Sequence, residues 1–241
     1  MILVKRVNLE SAFVLHTRAF KETSLLVDLF TKNLGRINVV AKGARKPKSP
    51  LRSVLTPASM FAVSFSGKTE LKNLNACELL NHYSISMSVA LNSIVYVNEL
   101  LIKATEKEDP HEEIFNQYKL LCEGLAGKTD KVEIEVLLRT FELVLLQELG
   151  YGIDLSFESI SGNRIKPNNN YMFDPSLGFT KLQTDSIKAN GVFLGKDILN
   201  FSSGDLTEQD SRLASKKIMR LALDYHLGNK SINIRKYLSK E

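Results

Sequence analysis

The spacing of the apolar residues changes near residue 80, and this change constrains the fold more than any other feature of the sequence. Before it, short apolar runs of β-forming residues are separated by turn residues. After it, apolar residues recur at intervals of three and four over long segments, which is the helical spacing. The sequence therefore predicts an α+β protein, with a β domain over residues 1–80 and a mainly helical domain over residues 81–241.

Five segments of the first domain are predicted to be strands: 11–17, 23–30, 36–41, 60–65 and 70–74. In the third, Ile37, Val39 and Ala41 point to one side while Arg36 and Asn38 point to the other, which predicts a half-buried strand. Five short strands in about 80 residues are typical of a small closed barrel. We expect a five-stranded barrel of the OB type, with an SH3-like barrel as the alternative.

The second domain is predicted to contain four long helices, over residues 86–104, from Asp109-Pro110 to Gly124 or Gly127, from Asp130 to Gly150, and from about 206 to 227. A weak capping-box pattern, Thr207 to Asp210, opens the last of these, and a short final helix follows it. The third helix is apolar nearly all round, so it is either central or lines a groove. Glycine, proline and asparagine clusters break residues 151–183, which predicts an insertion with a loop and a short β-hairpin.

The net charge of +5 is distributed unevenly. Residues 1–80 contain 13 Lys and Arg against 5 Asp and Glu, and residues 211–241 contain 8 basic residues against 2 acidic ones. A local excess of positive charge is expected where a surface meets a polyanion such as nucleic acid, although a solvated basic face has the same composition.

The densest basic segment is Lys42 to Arg52, which directly follows the third predicted strand and contains no acidic residue. Flexible basic side chains beside glycine and proline can follow a phosphate backbone without reading the bases. The alternative is a loop that is basic only because it is solvated. The predicted DNA contacts are Arg36, Lys42, Arg45, Lys46, Lys48, Arg52 and Lys72, and a secondary basic surface is predicted at Arg212, Lys216, Lys217 and Arg220.

The sequence contains no motif for catalysis, a metal or a nucleotide. Gly127-Lys128-Thr129 ends like a phosphate-binding loop, but Cys122 stands where that motif needs its first glycine. The four histidines lie on four separate segments, and the two cysteines form no recognisable nucleophile or ligand pattern. We therefore expect a non-enzymatic protein that needs no cofactor.

Membrane insertion and export are not expected either. The longest aliphatic run is Leu143 to Leu146, much shorter than the roughly 20 residues of a membrane span. The start of the chain has no apolar stretch of signal-peptide length. The expected location is the cytoplasm, with both cysteines reduced.

Several strings, in order along nearly the whole chain, resemble the bacterial recombination mediator family RecO. The resemblance is closest at the amino terminus and continues through the helical domain. The strings of the first domain are Ala12-Phe13-Val14-Leu15-His16, Lys21-Glu22-Thr23-Ser24-Leu25, Gly35-Arg36, Ala41-Lys42-Gly43-Ala44-Arg45, Ser64-Phe65-Ser66-Gly67 and Glu70-Leu71-Lys72. Those of the helical domain are Tyr96-Val97-Asn98-Glu99-Leu100-Leu101, Asp109-Pro110-His111, Leu138-Arg139 with Phe141-Glu142, Leu149-Gly150-Tyr151-Gly152, then Tyr171, Phe173, Pro175 and Gly178, Met219-Arg220 and His226-Leu227-Gly228.

The resemblance implies an OB-fold domain before a helical body, and a role in DNA repair and recombination without catalysis. It implies binding to single- and double-stranded DNA, annealing of complementary strands, and association with the nucleoid. The implied partners are single-strand-binding protein and RecR, which together allow RecA to load onto coated single strands. Some family members carry a four-cysteine zinc site after the Gly-Tyr-Gly string, but residues 157–181 of this chain contain no cysteine, so zinc is not expected.

The third predicted helix resembles the part of the family that receives the carboxy-terminal tail of single-strand-binding protein. That tail combines an apolar side chain with carboxylates, so its receptor must combine an apolar groove with a cation. The residues assigned to this partner-tail pocket are Leu138, Arg139, Phe141, Glu142 and Leu145. The alternative is that the helix is buried core and that Arg139 pairs locally with Glu135 or Glu142.

Two other functional classes remain open from the residues alone. A basic OB barrel serves equally in an RNA-binding or ribosome-associated protein. A protein-assembly scaffold is the third class, and it predicts no salt-dependent binding of nucleic acid.

Overall fold

The computed structural model describes residues 6–127, 130–183, 190–228 and 232–235, without the side chains of Arg52 and Ser53. Contacts divide these residues into two compact units. The first contains 6–127 and 232–235, and the second contains 130–183 and 190–228. The predicted domain boundary near residue 80 coincides with the change from strands to helices. The first compact unit continues past this boundary and includes two helices, so the boundary stays a prediction.

Five strands of the first unit form a closed barrel in the order β1-β2-β3-β5-β4. The strands are β1 Arg6–Phe20, β2 Ser24–Thr31, β3 Gly35–Ala41, β4 Ser59–Ser66 and β5 Leu71–His82, with a four-residue helix α1 Leu51–Val54 before β4. Alternate residues of the strands fill the interior, including Val27, Val39 and Val63, which are completely buried. The barrel confirms the predicted OB-type domain.

The barrel closes at a short parallel pairing between β3 and β5, which we call the β3–β5 seam. Only Asn38–Leu71, Val39–Lys72 and Val40–Asn73 pair across it, whereas the other neighbouring strands pair antiparallel over longer stretches. The seam is therefore the strand pairing of the ring with the fewest paired residues.

The prediction that β3 is half-buried was wrong, because all seven of its residues are buried. The loop of residues 105–109 covers its outer side: Arg36 donates from Nη2 to the carbonyl of Thr105 at 3.0 Å, and the amide of Glu108 donates to the carbonyl of Arg36 at 3.0 Å. A Cβ on Gly35 would lie 2.0 Å from the carbonyl oxygen of Asp109, so only glycine fits there. The covering loop is about 70 residues away in the sequence, which the local pattern of β3 cannot reveal.

Two helices, α2 Ser88–Ala104 and α3 Glu112–Ala126, pack on the outside of the barrel. Phe13 of β1 points outward and meets the rings of Phe115 and Tyr118 at 5.2 and 4.8 Å. The predicted start of α3 at Asp109-Pro110 was wrong by two residues, because the cap is His111. Asp109 instead packs on Gly35, which keeps it out of the helix. The predicted end is confirmed at Gly127.

The second unit contains helix α4 Lys131–Glu148, strands β6 Asn170–Asp174, β7 Gly178–Lys181 and β8 Val192–Leu194, and helices α5 Gly195–Ser203 and α6 Gln209–Leu227. The strands form one antiparallel sheet in the order β7-β6-β8. The predicted hairpin is confirmed, while β8 and α5 were missed because both are short. The final short helix was predicted over a segment that lies mostly outside the described residues.

Two helix starts in this unit depend on different groups. Asp130 and Glu133 form a reciprocal capping box at α4. At α6 the predicted capping box was wrong: the hydroxyl of Thr207 donates to Asp205, and the cap is Glu208 without a side-chain hydrogen bond.

Within the described ranges, no helix is long and apolar enough to cross a membrane, and no three His, Cys, Asp or Glu side chains are grouped as metal ligands. The β6–β7 turn is held by hydrogen bonds to Asp174, whose carboxylate accepts from the amide and hydroxyl of Ser176 and from the amide of Leu177. Packing of Tyr171, Phe173 and Phe179 supports the same hairpin.

Candidate nucleic-acid interface

The basic loop after β3 packs against the turn between β1 and β2. The amide of Arg45 donates to the carbonyl of Thr23 at 2.9 Å, and its guanidinium donates to the carbonyls of Lys21 and Glu22. Gly43 has a φ of +70°, which lets the chain turn sharply after Lys42. The loop is thus held at its base by main-chain hydrogen bonds, while the side chains of Lys42, Lys46 and Lys48 remain exposed.

An open cleft of about 680 Å³ lies beside this loop, at the end of the β3–β5 seam. Its volume is in the range of sites that hold a nucleotide-sized group. The lining residues come from the β1–β2 turn, from β3 and its loop, and from β5: Phe20, Lys21, Thr23, Ser24, Val40, Lys42, Gly43, Lys46, Thr69, Leu71, Lys72 and Asn73.

The cleft combines the groups that a nucleic-acid strand requires. Lys21, Lys42 and Lys46 are exposed cations that can neutralise phosphates. Phe20 is a half-buried aromatic ring, with the Nζ of Lys21 5.6 Å from its centroid, and it can offer a surface to a base. The sequence analysis missed Phe20 and Lys21, although an aromatic residue next to a lysine at a predicted turn is a pattern that can indicate a nucleic-acid contact.

Two of the predicted DNA contacts have other partners. Arg36 is only 8% exposed and binds the carbonyl of Thr105, and burial lowers the pKa of its guanidinium. Lys72 is 5% exposed, and its Nζ lies 2.6 Å from Glu108 and 2.9 Å from the carbonyl of Thr69. Both cations are bound by protein oxygen atoms, so neither is presented to solvent as the sequence suggested.

The remaining predicted contacts follow the loop. Lys42 and Lys46 line the cleft, whereas Arg45 and Lys48 are exposed beside it. The side chain of Arg52 lies outside the described part of the chain, so its position cannot be compared with the prediction. The structure thus brings two of the seven predicted residues together at the cleft as exposed cations, with Lys72 behind them.

The predicted secondary basic surface lies on α6. Lys216, Lys217 and Arg220 are exposed, with Lys217 5.7 Å from the ring centroid of Phe193 and Arg220 3.8 Å from Asp224. Arg212 differs from them, because its guanidinium is bound to Glu135 and to the carbonyls of Leu206 and Thr207. Arg212 is therefore a structural residue, and three exposed cations remain on this surface.

The predicted partner-tail pocket lies on α4. Phe141, Glu142 and Leu145 are at most 1% exposed and belong to the interior, whereas Leu138 and Arg139 are half-buried. The Nη2 of Arg139 lies 2.7 Å from Glu142, which is the local pairing that the alternative interpretation required. The Nε of Arg139 is buried and has no hydrogen-bond partner among the described residues.

The two cysteines have no nucleophilic character at neutral pH. Cys77 is half-buried on β5, and burial raises the pKa of its thiol to about 11. Cys122 is fully buried in α3, and burial raises the pKa of its thiol further. A protonated thiol is a poor nucleophile and a poor metal ligand.

Comparison with known families gives two matches that together span most of the chain. The model described as "Recombination protein O N terminal" matches residues 6–83, and that described as "Recombination protein O C terminal" matches residues 88–233. The two matches meet where β5 ends and α2 begins.

Curated relatives match over nearly their full length. The chain is 39% identical over 228 residues to a DNA repair protein RecO of Actinobacillus pleuropneumoniae serotype 7, covering 95% of this chain and 93% of the relative. It is 38% identical over 236 residues to that of Nitrosospira multiformis, covering 98% and 96%. It is 39% identical over 232 residues to that of Haemophilus influenzae strain Rd, covering 96% of each.

Proposed function

The chain belongs to the RecO family of DNA repair and recombination proteins, and on that premise we propose that it binds DNA through the cleft and basic loop of its barrel. The family consists of non-enzymatic recombination mediators. The observation that carries the proposal is the position of Lys21, Lys42 and Lys46 around one open cleft beside the ring of Phe20. Such a surface binds a strand through phosphates and stacking, without reading its sequence.

We propose further that the protein anneals complementary strands and, with RecR, helps RecA to load onto DNA coated by single-strand-binding protein. Arg45 and Lys48 extend the interface along the loop, and α6 supplies a second basic surface through Lys216, Lys217 and Arg220. Arg52 stays a predicted contact from the sequence. Two basic surfaces on one chain are what a protein needs to hold two strands. A DNA partner of this kind assigns the protein to the nucleoid in the cytoplasm.

We assign the tail of single-strand-binding protein to α4, with Arg139 as its cation and Leu138 as its apolar contact. The support is the Arg139 side chain, which is 11% exposed and carries a cation beside Leu138 on α4. A carboxylate accepts readily from a guanidinium that already carries one carboxylate partner, because the guanidinium has five donors.

Strand annealing, measured with and without single-strand-binding protein, tests the proposed function. The expected result is annealing of complementary oligonucleotides in both conditions, with steep dependence on salt. Failure to anneal strands without single-strand-binding protein would contradict the proposed function. Competition with a structured RNA at equal nucleotide concentration and matched salt separates the RNA alternative: displacement of the DNA would favour an RNA-binding protein instead.

A further inference from the structure

Lys72 lies in the wall of the cleft, but its charge is already compensated. Its side chain is among those that line the cleft, yet only 6% of it is exposed. Its Nζ donates to Oε1 of Glu108 at 2.6 Å and to the carbonyl of Thr69 at 2.9 Å. The ammonium and carboxylate together carry no net charge, so Lys72 adds little to the attraction that the cleft exerts on a phosphate.

Glu108 holds Lys72 from a loop that spans the β3–β5 seam. The amide of Glu108 donates to the carbonyl of Arg36 on β3, while its carboxylate binds Lys72 on β5. In the same loop, Lys107 pairs with Glu70 directly before β5. Glu108 has a φ of +57°, a conformation that is costly for a residue other than glycine, asparagine or aspartate.

The carboxylate of Glu108 is not sealed inside the protein. Its side chain is 34% exposed, whereas that of Lys72 is 6% exposed. A carboxylate and a phosphate offer the same kind of negatively charged oxygen acceptor to an ammonium, so a phosphate in the cleft competes with Glu108 for Lys72. Lys72 is the cleft-lining cation on β5, where it pairs with Val39 of β3.

We propose that Glu108 sets the number of cations that the cleft presents to a nucleic-acid strand, by holding Lys72 as a latent phosphate ligand. With Glu108 in place, the cleft acts through Lys21, Lys42 and Lys46. Once the Glu108 carboxylate is removed or displaced, Lys72 becomes the fourth cation. This inference rests on the proposed function, since it concerns the same cleft, but it adds an acidic residue that weakens binding.

The test is the salt dependence of single-strand binding by Glu108→Gln. Freeing one cation should steepen the log–log salt slope by about 0.7, the contribution of one phosphate contact to a single strand. Affinity at low salt should rise about three- to tenfold, the range of one modest contact. Glu78→Gln is the matched control, because it removes an exposed acidic charge from the same strand, β5, while leaving Glu108 on Lys72. An equal gain in both variants would mean general electrostatics and would overturn the proposal.

A double-mutant comparison assigns the effect to Lys72. In a Lys72→Met background, Glu108→Gln should change neither the affinity nor the salt slope, because the cation that it would free is absent. A gain that persists without Lys72 would overturn the proposal. Glu108→Asn is the second single variant, since asparagine tolerates the positive φ at this position, and it should reproduce the gain if Glu108→Gln unfolds the seam.

A measurement without DNA separates this inference from the proposed function. In Glu108→Asn, the Nζ resonance of Lys72 should shift on titration with inorganic phosphate, and the wild-type resonance should shift much less. A shift supports the latent site even if the protein fails to anneal DNA, and the absence of any shift in the variant overturns it even if annealing succeeds.

Discussion

The side-chain amide of Asn98 donates a hydrogen bond to the carbonyl oxygen of Leu15 at 2.8 Å, across 83 residues of sequence. The oxygen of the same amide accepts from the hydroxyl of Tyr118 at 2.7 Å. One buried side chain on α2 therefore joins β1 of the barrel to α3. All three residues are buried, so water cannot take the place of Asn98 in these two hydrogen bonds.

Asn98→Leu should lower the free energy of unfolding by about 1–3 kcal/mol, because it removes two buried hydrogen bonds, to the Leu15 carbonyl and from the Tyr118 hydroxyl. Equilibrium denaturation in urea measures this change. Asn92→Leu, on the same helix but half-buried, should cost less than about 0.5 kcal/mol. Equal effects of the two substitutions would mean that the Asn98 hydrogen bonds contribute little.

Changing Lys42 and Lys46 together to Ala should weaken single-strand binding to all sequences alike, because both are exposed cations that line the cleft. The log–log salt slope should become shallower by about one to two units, measured by fluorescence titration over a range of salt. The pair Lys166→Ala and Lys181→Ala removes the same charge from exposed positions of the second unit. If that pair reduces the slope equally, the cleft is not the interface.

Arg139→Ala should reduce affinity for a peptide with the tail sequence of single-strand-binding protein by about 1–3 kcal/mol, by isothermal titration calorimetry. The same change also leaves the Glu142 carboxylate, only 1% exposed, without its cation. The double variant Arg139→Ala, Glu142→Gln removes that buried charge and should recover the melting temperature but not the tail binding. Recovery of both would make Arg139 a purely structural residue.

Acid should loosen the β6–β7 turn before the rest of the second unit. Hydrogen bonds from Ser176 lower the pKa of the Asp174 carboxyl below its ordinary 3.8. The contribution of Asp174 to stability is therefore fully present above pH 3.8 and is lost as the pH falls through the lowered pKa. Hydrogen exchange should show faster exchange of the Ser176 and Leu177 amides in that range. Asp174→Asn should remove this pH dependence.

The alternation and helical spacing of the sequence were sufficient for the barrel, α2 and α4, because those patterns reflect local burial, and the glycine, proline and asparagine clusters were sufficient for the hairpin. They failed wherever a distant segment supplied the environment. Arg36 and Lys72 read as exposed cations, yet their partners Thr105 and Glu108 lie 69 and 36 residues away in the sequence. The basic loop could be predicted from its charge. Phe20 and Lys21 could not be assigned to the cleft, because they reach it only where the β1–β2 turn packs beside that loop.

The loop of residues 105–109 also determines when the barrel can be completed. During synthesis all five strands emerge before this loop, so the Thr105 carbonyl and the Glu108 carboxylate reach Arg36 and Lys72 only later, while Lys72 can already donate to the Thr69 carbonyl. A seam of three residue pairs is a weak closure until these contacts form. We therefore expect residues 6–83 made alone to be less stable than the whole first unit, because they lack the loop that supplies the partners of Arg36 and Lys72.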